Sequence, residues 1–140
     1  MSDDLTPFYN FVQKNGYLLE ERHAKMWTQA TLQQFGLDLP RGAKNALAKA
    51  LPEELRGFLK GVFWLVHFPN SGLERLDFQE KVARRSGNTD KHFAEKPIKA
   101  VFAGIRQFMD DDVERKLIDS LSPEMREMWV ESAALLPKPA

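Results

Sequence analysis

Apolar residues recur at intervals of three and four along most of the chain, the spacing of amphipathic helices. The densest run lies at the midpoint, where Pro52, Glu53 and Glu54 supply a first-turn proline and carboxylates for the positive end of a helix. Leu55, Phe58, Leu59, Val62, Phe63 and Val66 then form one stripe, which Trp64 and Leu65 widen. The pattern predicts a central helix more enclosed than any other in the molecule. Gly57 and Gly61 lie inside it, each weakening it by about 0.8–1 kcal/mol relative to alanine. They mark either the close approach of a crossing helix or simple local tolerance. The run contains Lys60 and falls short of the ~20 apolar residues that span a bilayer, so it does not read as a membrane segment.

Seven further helices follow from periodicity and end signals. Thr6-Pro7 reads as a cap and first helical position, with Phe8, Phe11 and Val12 inward and Asn15-Gly16 as the stop. A second helix runs from about Leu18 to Phe35, with Ala24, Trp27, Thr28, Thr31, Leu32 and Phe35 on one face and Gly36 ending it. A third covers about Gly42 to Ala50, with Ala43, Ala46, Leu47 and Ala50 inward. After the central helix, Pro69-Asn70-Ser71-Gly72 reads as a linker.

Asp77 reads as the cap of the next helix, with Glu80 completing a capping box and Phe78 and Val82 inward. Ser86-Gly87-Asn88 stops that helix, and Thr89 is placed to cap the following one, which carries Ala94, Pro97, Ile98, Val101, Phe102 and Ile105. Pro97 removes an internal hydrogen bond, so this helix is expected to bend or restart near it. Asp110-Asp111-Asp112 opens a short helix with Val113, Leu117 and Ile118. Ser122-Pro123-Glu124 opens the last, with Met125, Met128 and Trp129. Residues 135–140 hold two prolines and read as a tail.

The pattern returns on a shift of seventy residues. Phe8 falls on Phe78, Val12 on Val82, Ala43 on Val113, Leu47 on Leu117 and Leu51 on Leu121. The face Ala24, Trp27, Thr28, Thr31, Leu32, Phe35 falls on Ala94, Pro97, Ile98, Val101, Phe102, Ile105. Glu54-Leu55-Arg56 falls on Glu124-Met125-Arg126. The turn glycines Gly16 and Gly87 miss by one residue, which calls for a single-residue indel. The reading is an all-α fold of about eight helices in two pseudo-repeated four-helix halves that share a core. Residues 1–70, with the central helix, form the first unit and residues 71–140 the second, within one compact domain.

With its paired helix stops at Gly16 and Gly87 and the element Leu51-Pro52-Glu53-Glu54-Leu55-Arg56, the chain resembles the uncharacterised bacterial family termed domain of unknown function 2267. Leu121-Ser122-Pro123-Glu124-Met125-Arg126 departs from that element by shifting its proline. The resemblance spans roughly Phe8 to Trp129. It implies a small helical protein with two similar halves, and supplies no activity or catalytic residue.

Charge and chemistry narrow the picture a little. Twenty basic side chains balance twenty acidic ones: residues 1–70 carry eight and seven, residues 71–140 twelve and thirteen. Neither half has the basic surplus of a nucleic-acid binder. The chain has no cysteine, which excludes disulfides and thiolate chemistry. The acidic start Met1-Ser2-Asp3-Asp4 lacks the features of a secretory signal, so the cytoplasm is the expected location.

His23, His67 and His92 show no metal-ligand spacing. Asp110 to Asp112 suit capping better than magnesium, because adjacent residues diverge at a helix start. No phosphate-cradling glycine loop or nucleophile elbow is present. No catalytic residue, cofactor or metal is therefore assigned. Lys81, Arg84, Arg85 and Lys91 are candidate phosphate contacts, although a solvated helix face explains them more simply. Trp64 and Phe68 are candidates for an interface, because they extend the central stripe sideways, although plain core filling accounts equally well for the ten phenylalanines and three tryptophans.

The leading functional expectation is a non-enzymatic interaction or structural protein that self-associates or binds a protein partner. The alternatives are a nucleic-acid-binding accessory protein using the 81–91 face, and an enzyme with an interhelical pocket.

Overall fold

A computed structural model describes residues 4–61 and 72–136. Within them the fold is all-α, with eight α-helices: α1 Thr6–Asn15, α2 Glu21–Asp38, α3 Arg41–Ala50, α4 Glu53–Lys60, α5 Arg75–Arg85, α6 Lys91–Ile105, α7 Asp111–Ser120 and α8 Pro123–Ser132. Single 3-10 turns follow α6 at Arg106–Phe108 and α8 at Ala133–Leu135. Val62, Phe63, Trp64, Leu65, Val66, His67, Phe68 and the expected linker at 69–71 lie outside the described residues. No helix among the described residues is long and apolar enough to cross a membrane.

Among those residues the most enclosed helix is α6. Ala94, Pro97, Ile98 and every residue from Ala100 to Ile105 are buried, and α1, α2, α5 and α8 all pack on it. Four large rings from four helices meet at its centre. Phe102 of α6 stands 5.0 Å from Phe35 of α2, 6.1 Å from Phe78 of α5 and 5.2 Å from Trp129 of α8, centroid to centroid. Burying rings of this size supplies much of the apolar drive to fold. Outside this centre, α1 lies on α6, α5 lies on α2, and α3 packs along α7.

Two local expectations change, and one open reading is decided. The helix containing Trp27 does not stop at Gly36; α2 continues to Asp38 with Gly36 buried inside it. A methyl group at Gly36 would stand 2.1 Å from the Leu59 carbonyl oxygen, so this glycine admits the end of α4. Of the two readings open for Gly57 and Gly61, close approach of a crossing helix or local tolerance, Gly57 fits tolerance because it faces open space, and a Cβ on Gly61 would meet only backbone of its own turn, the Gly57 carbonyl oxygen at 2.6 Å. Nor does α6 restart at Pro97, since it runs unbroken from Lys91 to Ile105. The backbone of Pro97 is packed against α1, where the bare Cα of Gly16 makes room: a Cβ there would lie 3.1 Å from Pro97 Cα.

The caps also shift. Asp90, not Thr89, caps α6, its Oδ1 accepting from the N–H groups of His92 and Phe93 at 2.9 and 3.2 Å. A carboxylate at this position also faces the positive end of the helix dipole, which a threonine hydroxyl cannot match. Asp77 lies within the first turn of α5, which begins two residues earlier, at Arg75. Thr6 is itself the first residue of α1 and donates its N–H to Asp4 Oδ1 at 3.0 Å. Asp110 and Ser122 cap α7 and α8 as expected, accepting from Val113 and Met125.

Candidate interaction surface

The basic residues singled out in the sequence lie along α5 and at the start of α6. Lys81, Arg84 and Arg85 are exposed and Lys91 is half-buried. Two of them are engaged by the fold. Arg84 pairs with Glu80 one turn back at 2.6 Å, and Arg85 donates to Gln34 of α2 at 2.9 Å. Trp64 and Phe68 fall outside the described residues. His23 stands 3.6 Å from Glu20, and exposed His92 sits in the first turn of α6. Among the described residues no three His, Asp or Glu side chains converge to hold a metal ion.

Most of the remaining polar chemistry ties helices together. Arg75 of α5 makes paired bonds of 3.1 and 3.0 Å to Glu131 of α8, and Lys99 of α6 reaches the same carboxylate at 2.6 Å. The Arg75 and Lys99 bonds pull Glu131 down to about 2, against a small opposing effect of burial. For Lys99, burial opposes the charge, but the bonds to Glu131 and Glu95 outweigh it and its affinity for the proton rises.

A second knot joins α6, α7 and α8. Arg106 pairs with Glu114 at 2.7 Å, donates to the Trp129 carbonyl and lies 4.7 Å over the Trp129 ring. The Trp129 indole N–H donates to the same Glu114 carboxylate at 2.9 Å. In a third knot, the Tyr9 hydroxyl donates to Glu54 at 2.5 Å, and Lys25 stands 3.2 Å from that carboxylate. Burial, and then the Glu54 bond, push the Tyr9 phenol far above its ordinary range. These three groups act as fasteners between helices.

The α1–α2 connection is different. Tyr17 has a φ of 56°, the left-handed region that a bulky side chain rarely enters. The chain around it is fixed: Leu18 N–H donates to Gln13 O at 2.9 Å, and the Gln13 side-chain amide donates to Leu19 O at 3.1 Å. The strained residue is nonetheless outside the core, with Tyr17 69% and Leu19 88% exposed. One face of the Tyr17 ring carries the Lys96 ammonium 4.3 Å from its centroid. Met26, in the second turn of α2, is also exposed. Three of the five large exposed apolar side chains among the described residues thus fall within ten positions. The sequence carried a signal for this site, because Tyr17-Leu18-Leu19 puts three apolar residues in a turn directly after the Asn15-Gly16 stop.

Two open grooves flank Phe108. One is lined in part by Leu5, Lys49, Leu51 and Arg56, the other by Asn45, Ala46, Asp110, Val113 and Lys116. Arg56 is committed to the backbone, donating to Ala48 O and Leu51 O at 2.8 and 2.9 Å, where it closes the end of α3. Arg126 does the same for α7 at Ile118 O and Leu121 O, at 3.3 and 3.4 Å.

The family model described as Uncharacterized conserved protein (DUF2267) matches residues 6–128. The chain belongs to the DUF2267 family. The matched region opens on the first residue of α1 and closes inside α8, so it takes in part or all of every α-helix described. It includes Tyr17, Leu19 and both helix-closing arginines. No curated protein matches the chain.

Proposed function

We propose that this DUF2267 protein is a non-enzymatic interaction module that self-associates through the α1–α2 loop. The observation that carries this reading is Tyr17: a tyrosine in the left-handed region, 69% exposed, beside a leucine that is 88% exposed. Holding a non-glycine residue in that conformation costs about 1 kcal/mol or more. The ring recovers little of this by burial. Strain held at an exposed aromatic is better explained by a contact made outside the chain than by a contact within it.

A second copy is the occupant we favour. The chain has no net charge at pH 7, so two copies approach without long-range repulsion. A twofold contact would double a patch too small to act alone. Glu20 and Glu21 at its edge disfavour a phosphate backbone in the same place. Trp64 and Phe68 remain candidates for extending such a contact.

The same proposal includes two quasi-equivalent four-helix units, 1–70 and 71–140, folded into one domain. Helices α2, α3 and α4 begin at Glu21, Arg41 and Glu53, and α6, α7 and α8 begin seventy residues later at Lys91, Asp111 and Pro123. The packing supports this reading, because α1 on α6 corresponds to α5 on α2, with the first helix of each unit lying on the second helix of the other. Arg56 and Arg126 close corresponding helix ends. Gly87, with φ 81°, then corresponds to Tyr17 rather than to Gly16, and no indel is needed. One unit has glycine at its left-handed turn; the other has a tyrosine.

Sedimentation velocity over a concentration series tests the proposal. Association that Tyr17→Gly with Leu19→Ser abolishes, without loss of helicity, would support it. A wild-type protein that stays monomeric to high micromolar concentration would reject it. The cytoplasm is the proposed location.

A further inference from the structure

Helices α3 and α7 pack along one another and leave an open groove of about 530 Å³. That volume lies in the range of sites that take small molecules. The groove follows from the side chains on one face of α3. Gly42, Ala46 and Ala50 recur there at intervals of four, too small to reach across to Val113 on α7. A Cβ placed on Gly42 would meet nothing within 4 Å. Phe108 stands between this groove and its neighbour, and its ring is steadied by an edge contact with Phe8 at 6.2 Å. Ala46, Ala50, Phe108 and Val113 are all half-buried, so the groove offers apolar surface that the chain itself does not cover.

The charged lining of the groove is not balanced. Lys49 from α3 and Lys116 from α7 line opposite walls, against a single carboxylate, Asp110. Asp110 is engaged as the cap of α7, accepting from the Val113 N–H at 2.9 Å. Asn45 adds a side-chain amide able to donate. The neighbouring groove differs, because it sets Asp4 and Glu53 against Lys49 and Arg56, and Arg56 is bound to the carbonyls of Ala48 and Leu51. A surplus of one positive charge over an apolar floor suits an organic monoanion better than a multiply charged phosphate. We infer that the α3–α7 groove binds a small carboxylate with an apolar body. The body lies on Ala50, Phe108 and Val113, and Lys49 and Lys116 meet the carboxylate from opposite walls. The site is independent of the Tyr17 loop.

Isothermal titration of the full chain with phenylpropionate and with octanoate, at constant ionic strength, tests the inference. Saturable binding at one site is expected for at least one of the two. Lys116 lines this groove and not its neighbour, and it is exposed, so Lys116→Gln should keep the fold. That variant should bind about tenfold more weakly, the worth of a hydrogen bond to a charged group. The neutral alcohol phenylpropanol should lose affinity for the wild type by at least the same factor. Gly42→Leu places a side chain in open space on a helix, so it should weaken binding while its thermal midpoint stays at or above that of the wild type. Failure of both carboxylates to bind, or equal binding by Lys116→Gln or by phenylpropanol, would overturn the inference. Inorganic phosphate that binds more tightly than either carboxylate, and loses affinity in Lys116→Gln, would also overturn it by assigning the groove to charge alone.

Discussion

The Lys96 ammonium lies 4.3 Å from the centroid of the Tyr17 ring and holds an exposed aromatic on a backbone with φ 56°. The two effects oppose one another. An exposed cation–π contact contributes about 0.5–1 kcal/mol, while the left-handed conformation costs about 1–2 kcal/mol. Strain therefore wins. Tyr17→Gly is expected to stabilise the monomer by about 0.5 kcal/mol. Urea denaturation checks this, and a loss greater than about 1 kcal/mol would show that the ring is held for the fold itself.

Two glycine-to-alanine changes should act with opposite signs. Gly36→Ala drives a methyl to 2.1 Å from the Leu59 carbonyl oxygen, which is backbone and yields little. A loss of about 1–3 kcal/mol or more is expected. Gly57→Ala enters open space within α4 and should gain about 0.8–1 kcal/mol from helix propensity. Thermal unfolding of the two variants gives the comparison, and losses of similar size would contradict the packing of α4 on α2.

The helix-closing arginines should rank by geometry. Arg56 bonds two carbonyls at 2.8 and 2.9 Å, while Arg126 makes the matching bonds at 3.3 and 3.4 Å. Arg56→Ala is expected to cost about 1–2 kcal/mol, and Arg126→Ala less. Denaturant midpoints of the two variants would expose the reverse order.

Acid should act on the α5–α8 fastening before the core. Bonds from Arg75 and Lys99 hold Glu131 at about 2, below its ordinary 4.5. The contribution of a depressed carboxylate is complete above its unfolded value and is lost as pH falls through the folded one. Stability from Glu131 should thus be full above 4.5 and should fall away between there and about 2. Denaturation curves at successive pH values should show Glu131→Gln to be less stable at neutral pH and to converge on the wild type toward pH 2. A constant gap across that range would contradict the assignment.

Helix ends set by neighbours in sequence were legible, among them Asn15-Gly16, the Asp110 cap and Ser122-Pro123. The errors share one physical source, since each residue had two local roles and a distant partner chose between them. Gly36 could stop a helix or admit another, and the deciding atom belongs to Leu59. Pro97 could restart α6, yet the helix runs on, packed where Gly16 leaves space. The apolar turn Tyr17-Leu18-Leu19 is visible in the sequence, but its left-handed backbone is not, because nothing local marks a left-handed tyrosine and Gly16 beside it is the residue type that usually takes that conformation. Its φ of −89° shows that it does not. Lys81, Arg84 and Arg85 stood out by being close in sequence, although two of them are engaged by Glu80 and Gln34.

The most direct measurement is sedimentation equilibrium of the wild type beside the Tyr17→Gly, Leu19→Ser variant, both at micromolar to high micromolar concentration. The expected result is a wild-type mass that rises with concentration and a variant that stays at the monomer mass of 16.1 kDa with unchanged helicity. A wild type that holds the monomer mass throughout, or a variant that associates equally well, would contradict self-association through the α1–α2 loop.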